Sequence, residues 1–293
     1  MARPRELRRR IKSVENTRQI TKTMEMVSTS KLKRAQDRVH AARPYATALA
    51  DVIRDLYSPD LAEQFPLLRQ PTGAPKRVAL VAITSNRGLC GAFNANLIRE
   101  ARTRLKEFDQ AGVATELHLI GKKGIGYFRF VKRPIATQRI DIGDKPKAEH
   151  AVEIAQPLMD QFEQGKLDAV DIVFAKFNSA LSTPPTTVRI LPVAPPAPPA
   201  PDAKAANRNY LLKPSAPEIV GAILPLYVRN AIYRALVETA AAEHGARRTA
   251  MKNATDSAGD MIDVLRRTYN RARQAQITQE LAEIVGGAEA LKG

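Results

Sequence analysis

Two short stretches carry the residue types that nucleotide chemistry would need. SNRGLCGAFN (85–94) places Gly88 and Gly91 between an apolar run and a helical stretch, and GKKGIG (121–126) sets two lysines among three glycines. Backbone amides at a helix N-terminus can cradle a phosphate, so either turn could in principle hold one. The spacing argues otherwise. The first is not GxGxxG and has no Gly-Lys-Ser/Thr after it, and the second lacks a hydroxyl residue after its lysine. Both read better as structural turns in which glycine gives backbone clearance. Cys90, the single cysteine, has no identifiable base and reads as a small buried hydrophobe. The four histidines, His40, His118, His150 and His244, have no metal-ligand spacing, and His244 reads as a packing or inter-helix hydrogen-bonding residue. With no paired carboxylates and no triad, the chain reads as non-catalytic, with no cofactor, no metal and no direct small-molecule substrate.

Periodicity shows what must position these turns. Residues 3–56 contain no glycine and only two prolines, Pro4 and Pro44. Apolar or small residues recur every three or four positions: Leu7, Ile11, Val14, then Leu32, Ala35, Val39, Ala42, Ala46, Leu49 and Ile53. That stripe predicts one helix of a pair, with Pro44 a kink or joint. Between Thr17 and Ser28 it breaks, and Ile20, Met24 and Val27 drift onto a neighbouring track. At the other end, steps of four and three from Val237 reach Ala241, His244, Arg248, Met251, Thr255, Ala258, Ile262, Leu265, Tyr269, Ala272 and Gln276. Heptads in phase predict a coiled-coil seam, weakened by its polar members. From Leu226 to Val285 there is no proline, a stretch that would make a helix of about 90 Å. Gly286-Gly287 supplies the stop. The two chain ends are expected to pair antiparallel.

Between them the composition changes. KRVALVAITS (76–85) is a β-branched run of the buried parallel-strand kind, and ELHLIG, IATQRID, DAVDIVFAKF and TTVRILPV follow as strands. Helical stretches over 94–110 and 148–162, with a short helix between them, give the alternating order of a Rossmann-like α/β domain with a mostly parallel sheet. The expected organisation is an N-terminal coiled-coil helix (1–57), a central α/β domain (76–213) and a C-terminal coiled-coil helix (214–293). The tract 192–209, PVAPPAPPAPDAKAANRN, reads as an extended, mobile Pro/Ala-rich surface loop.

Charge narrows the partners without choosing one. The net charge is +16, and residues 1–50 hold 13 Lys and Arg against 4 Asp and Glu, a local +9. Residues 218–293 are nearly balanced, 10 against 9. Such a basic arm attracts nucleic acid, anionic lipid or an acidic protein surface. A nucleic-acid binder would want aromatic residues interleaved with the cations, and the chain has 5% aromatics and no Trp. No run approaches the roughly 18 uninterrupted apolar residues of a membrane span, and the basic start lacks an apolar signal core, so the expected address is cytoplasmic. Two helical stretches have a double character. TKTMEMVSTSKLKRAQ (21–36) sets Met24 and Met26 beside Lys22, Lys31, Lys33 and Arg34. RARQAQITQELAE (271–283) offers Ile277 and Leu281 to a core but leaves Arg273, Gln274, Thr278 and Glu280 unexplained by one. Both suit another protein's surface.

Three segments resemble the gamma subunit of F-type ATP synthase: IKSVENTRQITKTMEMVSTSKLKRAQ, TSNRGLCGAFNANLIRE and EHGARRTAMKNATDSAGDMIDVLRRTYNRARQAQITQELAEIVGGA. The likeness runs in order along nearly the whole chain. Residues 103–209 match mainly in layout, and 192–209 look like an insertion. A bacterial protein fits better than a mitochondrial precursor. The resemblance implies a rotor shaft, one copy per complex, whose paired terminal helices stand inside a ring of alpha and catalytic beta subunits. Its α/β domain would join the epsilon subunit and the membrane c-ring, with the delta subunit in the same assembly, at the cytoplasmic face of the bacterial inner membrane. It implies that Met24 meets an acidic beta-subunit loop. Arg247, Arg273, Gln274, Thr278 and Glu280 match positions that touch beta-subunit catch loops, and 284–291 would turn in an apolar collar. After Arg247 this chain has Arg248-Thr249, where the family often has Met-Val.

Overall fold

A computed structural model describes residues 4–56, 64–70, 73–193 and 215–290. The chain divides into two compact units, residues 30–246 and a pairing of 1–29 with 247–293. The Pro/Ala tract, from residue 194 onward, lies outside the described residues.

The larger unit is built on a five-stranded sheet in the order β3-β2-β1-β4-β5, with β1 Arg77–Ile83, β2 Ala114–Ile120, β3 Thr137–Arg139, β4 Ala169–Ala175 and β5 Pro185–Leu191. The first four strands in that order run parallel, and β5 closes the edge antiparallel to β4. Every strand expected from the sequence is present. The pleat of β1 divides its side chains between two cores. Ala79, Val81 and Ile83 meet helix α4 (Ala148–Glu163) and the first turns of helix α5 (Ala216–Ala290) through Leu158, Phe162, Leu224 and Ile232. Leu80 and Ala82 meet α2 (Phe93–Gln110) and α3 (Lys122–Phe130) through Leu97, Leu105 and Phe128. Both long helices contribute to this unit. Leu32, Ala35 and Val39 of α1 (Pro4–Leu56) share one core with Val237, Ala241 and Ala242 of α5, while Ile53 shares the other with Val220 and Leu224. Rising numbers on α1 meet falling numbers on α5, so the pairing is antiparallel.

Polar residues of α5 finish the sheet. Thr239 Oγ1 accepts from the Ala175 N–H at 3.3 Å and Glu238 Oε2 from the Phe177 N–H at 3.1 Å, capping the backbone just past β4. Gly245 lets α5 pass close to the β4–β5 turn, since a Cβ there would stand 3.2 Å from the Ala180 carbonyl oxygen. In β4, Asp171 is 1% exposed and is held by Arg189 Nε at 2.8 Å and Arg104 Nη2 at 3.0 Å. A buried carboxylate is tolerable only with partners of this kind.

Pro44 lies inside α1, which is continuous from Pro4 to Leu56. One expectation needs correction: Gly286-Gly287 does not end α5, which continues to Ala290. Glycine costs a helix only about 1 kcal/mol against alanine, and Ala288 and Ala290 beyond it favour the helix. One 18-residue window of α5 also reaches a mean hydropathy of 1.2, enough by length and composition to cross a membrane.

Candidate functional site

The GKKGIG turn is sealed by the chain's own hydrogen bonds. At the start of α3 the Gly121 N–H donates to Arg139 O (2.8 Å), Lys122 N–H to Asn86 Oδ1 (3.0 Å), Lys123 N–H to Ser85 O (3.1 Å) and Gly124 N–H to Thr84 Oγ1 (2.9 Å). These are the donors a phosphate would need, and none is left to offer. Gly121 has φ of 99°, and a Cβ there would sit 2.1 Å from the Thr84 carbonyl oxygen. Clearance for the end of β1 is therefore the reason for that glycine. At the first turn the Ser85 N–H donates to Asn94 Oδ1 at 3.0 Å, tying the start of the segment to α2. Cys90 is 2% exposed and its Sγ accepts from Asn94 Nδ2 at 3.2 Å. His118 is buried beside Thr137 Oγ1, 2.8 Å from its Nδ1; burial pushes it below the ordinary imidazole value against the pull of Glu116. His244 is 2% exposed and faces a loop carboxylate, Asp144 Oδ1, at 3.8 Å.

Most of the candidate contact residues lie on the smaller unit. Its seam follows the expected steps of four and three. Met251, Thr255, Ala258 and Ile262 are buried, Leu265, Tyr269 and Ala272 are half-buried, and from residue 273 to 288 every residue is exposed. The opposite helix explains the fade. Arg266 Nη2 meets Glu15 Oε1 at 2.7 Å, and Thr255 Oγ1 lies 2.8 Å from Thr21 Oγ1, again an antiparallel pair. Counting one for one from the Glu15–Arg266 contact, Pro4 falls opposite about residue 277, so beyond it α5 has no described partner in this unit.

The α1 side of the seam is inside out. Where the apolar stripe breaks, Thr21 and Met24 are half-buried and Ser28 is 3% exposed, while Ile20, Met26 and Val27 are 60%, 58% and 51% exposed. Hydroxyls can fill the inner positions because a neighbour satisfies each: Ser28 Oγ donates to Met24 O at 2.7 Å, and Thr21 pairs with Thr255. The apolar side chains are thereby left for the outside.

At the far end, Arg273, Gln274, Thr278 and Glu280 are all exposed, together on one solvent-facing stretch of α5. At about 100° per residue, Arg273 and Glu280 flank one side of a stripe formed by Ile277, Leu281, Ile284 and Val285, Gln274 falls within it, and Thr278 flanks the other side. That stripe is 48% to 68% exposed, so the helix end is more apolar than its polar residues alone convey. Some of its polar groups are already tied along the helix: Gln276 Nε2 donates to Glu280 Oε1 at 2.8 Å and Thr278 Oγ1 to Gln274 O at 3.0 Å. Arg247 is different. It is 8% exposed and engaged within the chain, so it is not a free surface cation like Arg273. Missed in the sequence were Ile20 and Val27 as exposed contacts, although their drift off the stripe was the available signal.

The family model described as ATP synthase matches residues 3–291. The ATP synthase gamma chain of Gemmatimonas aurantiaca is 61% identical over 296 residues, covering 100% of both chains. The chain belongs to the ATP synthase gamma chain family. The gamma chain of Leptospira biflexa is 42% identical over 291 residues, across 99% of this chain and 100% of the relative. Among solved structures, the chain is similar to one in the central stalk and c-ring of the Tetrahymena thermophila mitochondrial ATP synthase. That match has a TM-score of 0.61 and 26% identity, over 80% of this chain and 99% of the other. A chain of the Euglena gracilis mitochondrial enzyme shares the fold at a TM-score of 0.67 and 21% identity, over 98% and 94% of the two chains.

Proposed function

We propose that this gamma chain is the central rotor shaft of the F1 sector of a proton-translocating ATP synthase, itself non-catalytic, with one copy in each complex. Rotation of a membrane c-ring reaches its α/β unit, and the paired helices carry that rotation into a ring of alpha and catalytic beta subunits. The epsilon and delta subunits belong to the same assembly. The complex sits at the cytoplasmic face of a bacterial inner membrane, to which this chain is peripheral.

The observation that carries this reading is the inverted segment together with the bare end of α5. A chain that turns hydroxyls inward and leaves Ile20, Val27, Ile277 and Leu281 exposed has spent its apolar surface on something outside itself. The polar flanks explain how such a contact can be exchanged. A wide apolar interface would hold one rotational angle, whereas Arg273, Gln274, Thr278 and Glu280 supply contacts of moderate strength that break and re-form. Met24 belongs to the same surface, half-buried at the seam edge among the cations of α1. Arg247, 8% exposed in the free chain, is assigned to the same set of beta-subunit contacts.

The test is to mix the purified chain with separately prepared alpha and beta subunits, and to measure stoichiometry by co-elution and ATP turnover. The expected result is one gamma chain per assembly with turnover above that of the alpha–beta mixture. A folded chain that neither co-elutes nor changes turnover overturns the proposal. In the coupled enzyme, Met24→Lys should weaken the link between hydrolysis and proton pumping with assembly retained.

A further inference from the structure

At the carboxyl ends of β1 and β2 a cavity of about 710 Å³ opens between the turn after β1, the loop joining β3 to α4, and α5. Open α/β sheets bind ligands outside the carboxyl ends of their strands, and ligand pockets run to roughly 300–1,000 Å³. All of its lining belongs to the larger unit. Ile83, Ile120, Ile142 and Leu236 contribute an apolar floor.

The rim is cationic. Arg87, Lys122, Lys145 and Lys147 line it, all four are exposed, and among the described residues none of them makes an ion pair. Of the carboxylates in the same wall, Asp141 pairs with Arg139 at 2.6 Å and Asp144 with Lys31, the charges of His244 and Arg87 also act on Asp144, and Glu243 is engaged as well. Lys122, Lys145 and Lys147 thus line open space, and Arg87 is shared between the cavity and Asp144, whose charge Lys31 also answers. His150 adds a directed donor. Its Nδ1 accepts from the Lys147 N–H at 3.2 Å, so the neutral ring carries its proton on Nε2.

We propose that this cavity binds a phosphate-bearing anion, held by the side chains of Arg87, Lys122, Lys145 and Lys147 above the apolar floor. Recognition is by side-chain charge, not by the amides that open α3, which are bonded internally. The shared chemistry is a di- or triphosphate, which could come from a nucleotide or from inorganic polyphosphate. A nucleotide would lay its base on the floor; an inorganic chain would leave the floor bare. The site is separate from the helix-pair surface, so its fate and that of the shaft reading are independent.

The experiment uses the full free chain with two probes, ADP and inorganic pyrophosphate, in calorimetric titrations at moderate salt. Lysine acetylation is read in parallel by mass spectrometry. The expected result is saturable one-site binding, weakened about tenfold or more by Lys145→Ala with Lys147→Ala and unchanged by Arg8→Ala with Arg9→Ala on the basic arm. In the unmodified chain the probes should protect Lys122, Lys145 and Lys147 from acetylation and leave Lys12 and Lys22 reactive, a readout that does not depend on how the variants fold. ADP binding more tightly than pyrophosphate identifies a nucleotide as the source, and equal affinity identifies an inorganic anion. The proposal is overturned by no saturable binding of either probe at millimolar concentration. It is equally overturned by protection spread over all lysines, or by affinity that follows the arm variant instead of the cavity variant.

Discussion

Two isoleucines on α5, fifteen positions apart, should respond oppositely to the same substitution. Ile262 is 4% exposed in the helix seam, and Ile277 is 48% exposed beyond it. Changing either to alanine removes three carbon atoms. At about 0.8 kcal/mol per buried methylene, the loss at Ile262 is about 2.4 kcal/mol, rising to as much as about 4 kcal/mol if the seam does not close over the gap. Alanine is the better helix former by a few tenths of a kcal/mol at both sites, so that gain cancels in the comparison. Ile277→Ala should therefore leave stability within about 0.5 kcal/mol of the parent. The two units need not unfold together, so a global melt is a poor readout. Amide hydrogen exchange of residues 251–269 reports the local opening of the pair directly. Ile262→Ala should raise the opening constant there by roughly 30-fold or more, and Ile277→Ala should leave it within about threefold. Equal effects from the two changes, or a larger one at Ile277, would refute the assignment of the seam and of its end.

Three further outcomes follow from the larger unit. Gly121→Ala should cost about 3 kcal/mol or more, because its Cβ meets the Thr84 carbonyl at a φ of 99°, while Gly126→Ala in the same motif, with nothing within 4 Å, should be neutral or mildly stabilising; thermal melts of the two decide it. Asp171→Asn should cost about 3 kcal/mol by leaving Arg104 and Arg189 without their carboxylate, and replacing all three residues with apolar ones should cost less; chemical denaturation compares them. Burial pushes the Asp144 carboxyl up, but the Lys31 hydrogen bond and the charges of His244, Lys31 and Arg87 outweigh it and hold the group below the ordinary carboxylate value. A lowered folded value gives stability that is present above the unfolded value of about 3.9 and is lost as pH falls through the folded one. Lys31→Met should therefore lower the urea midpoint at pH 7 and lose that effect toward pH 3; a constant difference across that range would contradict the pairing.

How far the sequence could be read depended on what each residue answers to. The α5 seam was legible from Val237 to Ala272 because one partner helix sets one period over that length. It failed at Gln276 because the fade depends on where the opposite helix begins, and register is not written in either helix alone. Ile20 and Val27 show a different limit. The rule that apolar residues face inward assumes the chain's own core is their only destination, and here the inner positions went to Thr21 and Ser28. The five strands were legible as β-branched runs between turn residues, and the glycine turns as structural. Their closure by Thr84 and Asn86 was not, since these partners lie some forty positions away across the β1–β2 crossover. The cationic cavity was equally hidden. Lys145 and Lys147 read as ordinary surface lysines until the loop after β3 brings them beside Arg87 and Lys122. Nor was it legible that Arg247 is 8% exposed and already engaged within the chain, whereas Arg273 is exposed.

The central claim is that residues 273–288 of α5 are built for a partner and not for this chain's own core. Hydrogen exchange of that segment, measured in the free chain and again in the assembly with alpha and beta subunits, tests it most directly. Exchange should be rapid in the free chain, on the scale of an unsupported helix end, and slowed by at least about tenfold in the assembly. Strong protection in the free chain, or the same rapid exchange in both states, would contradict it.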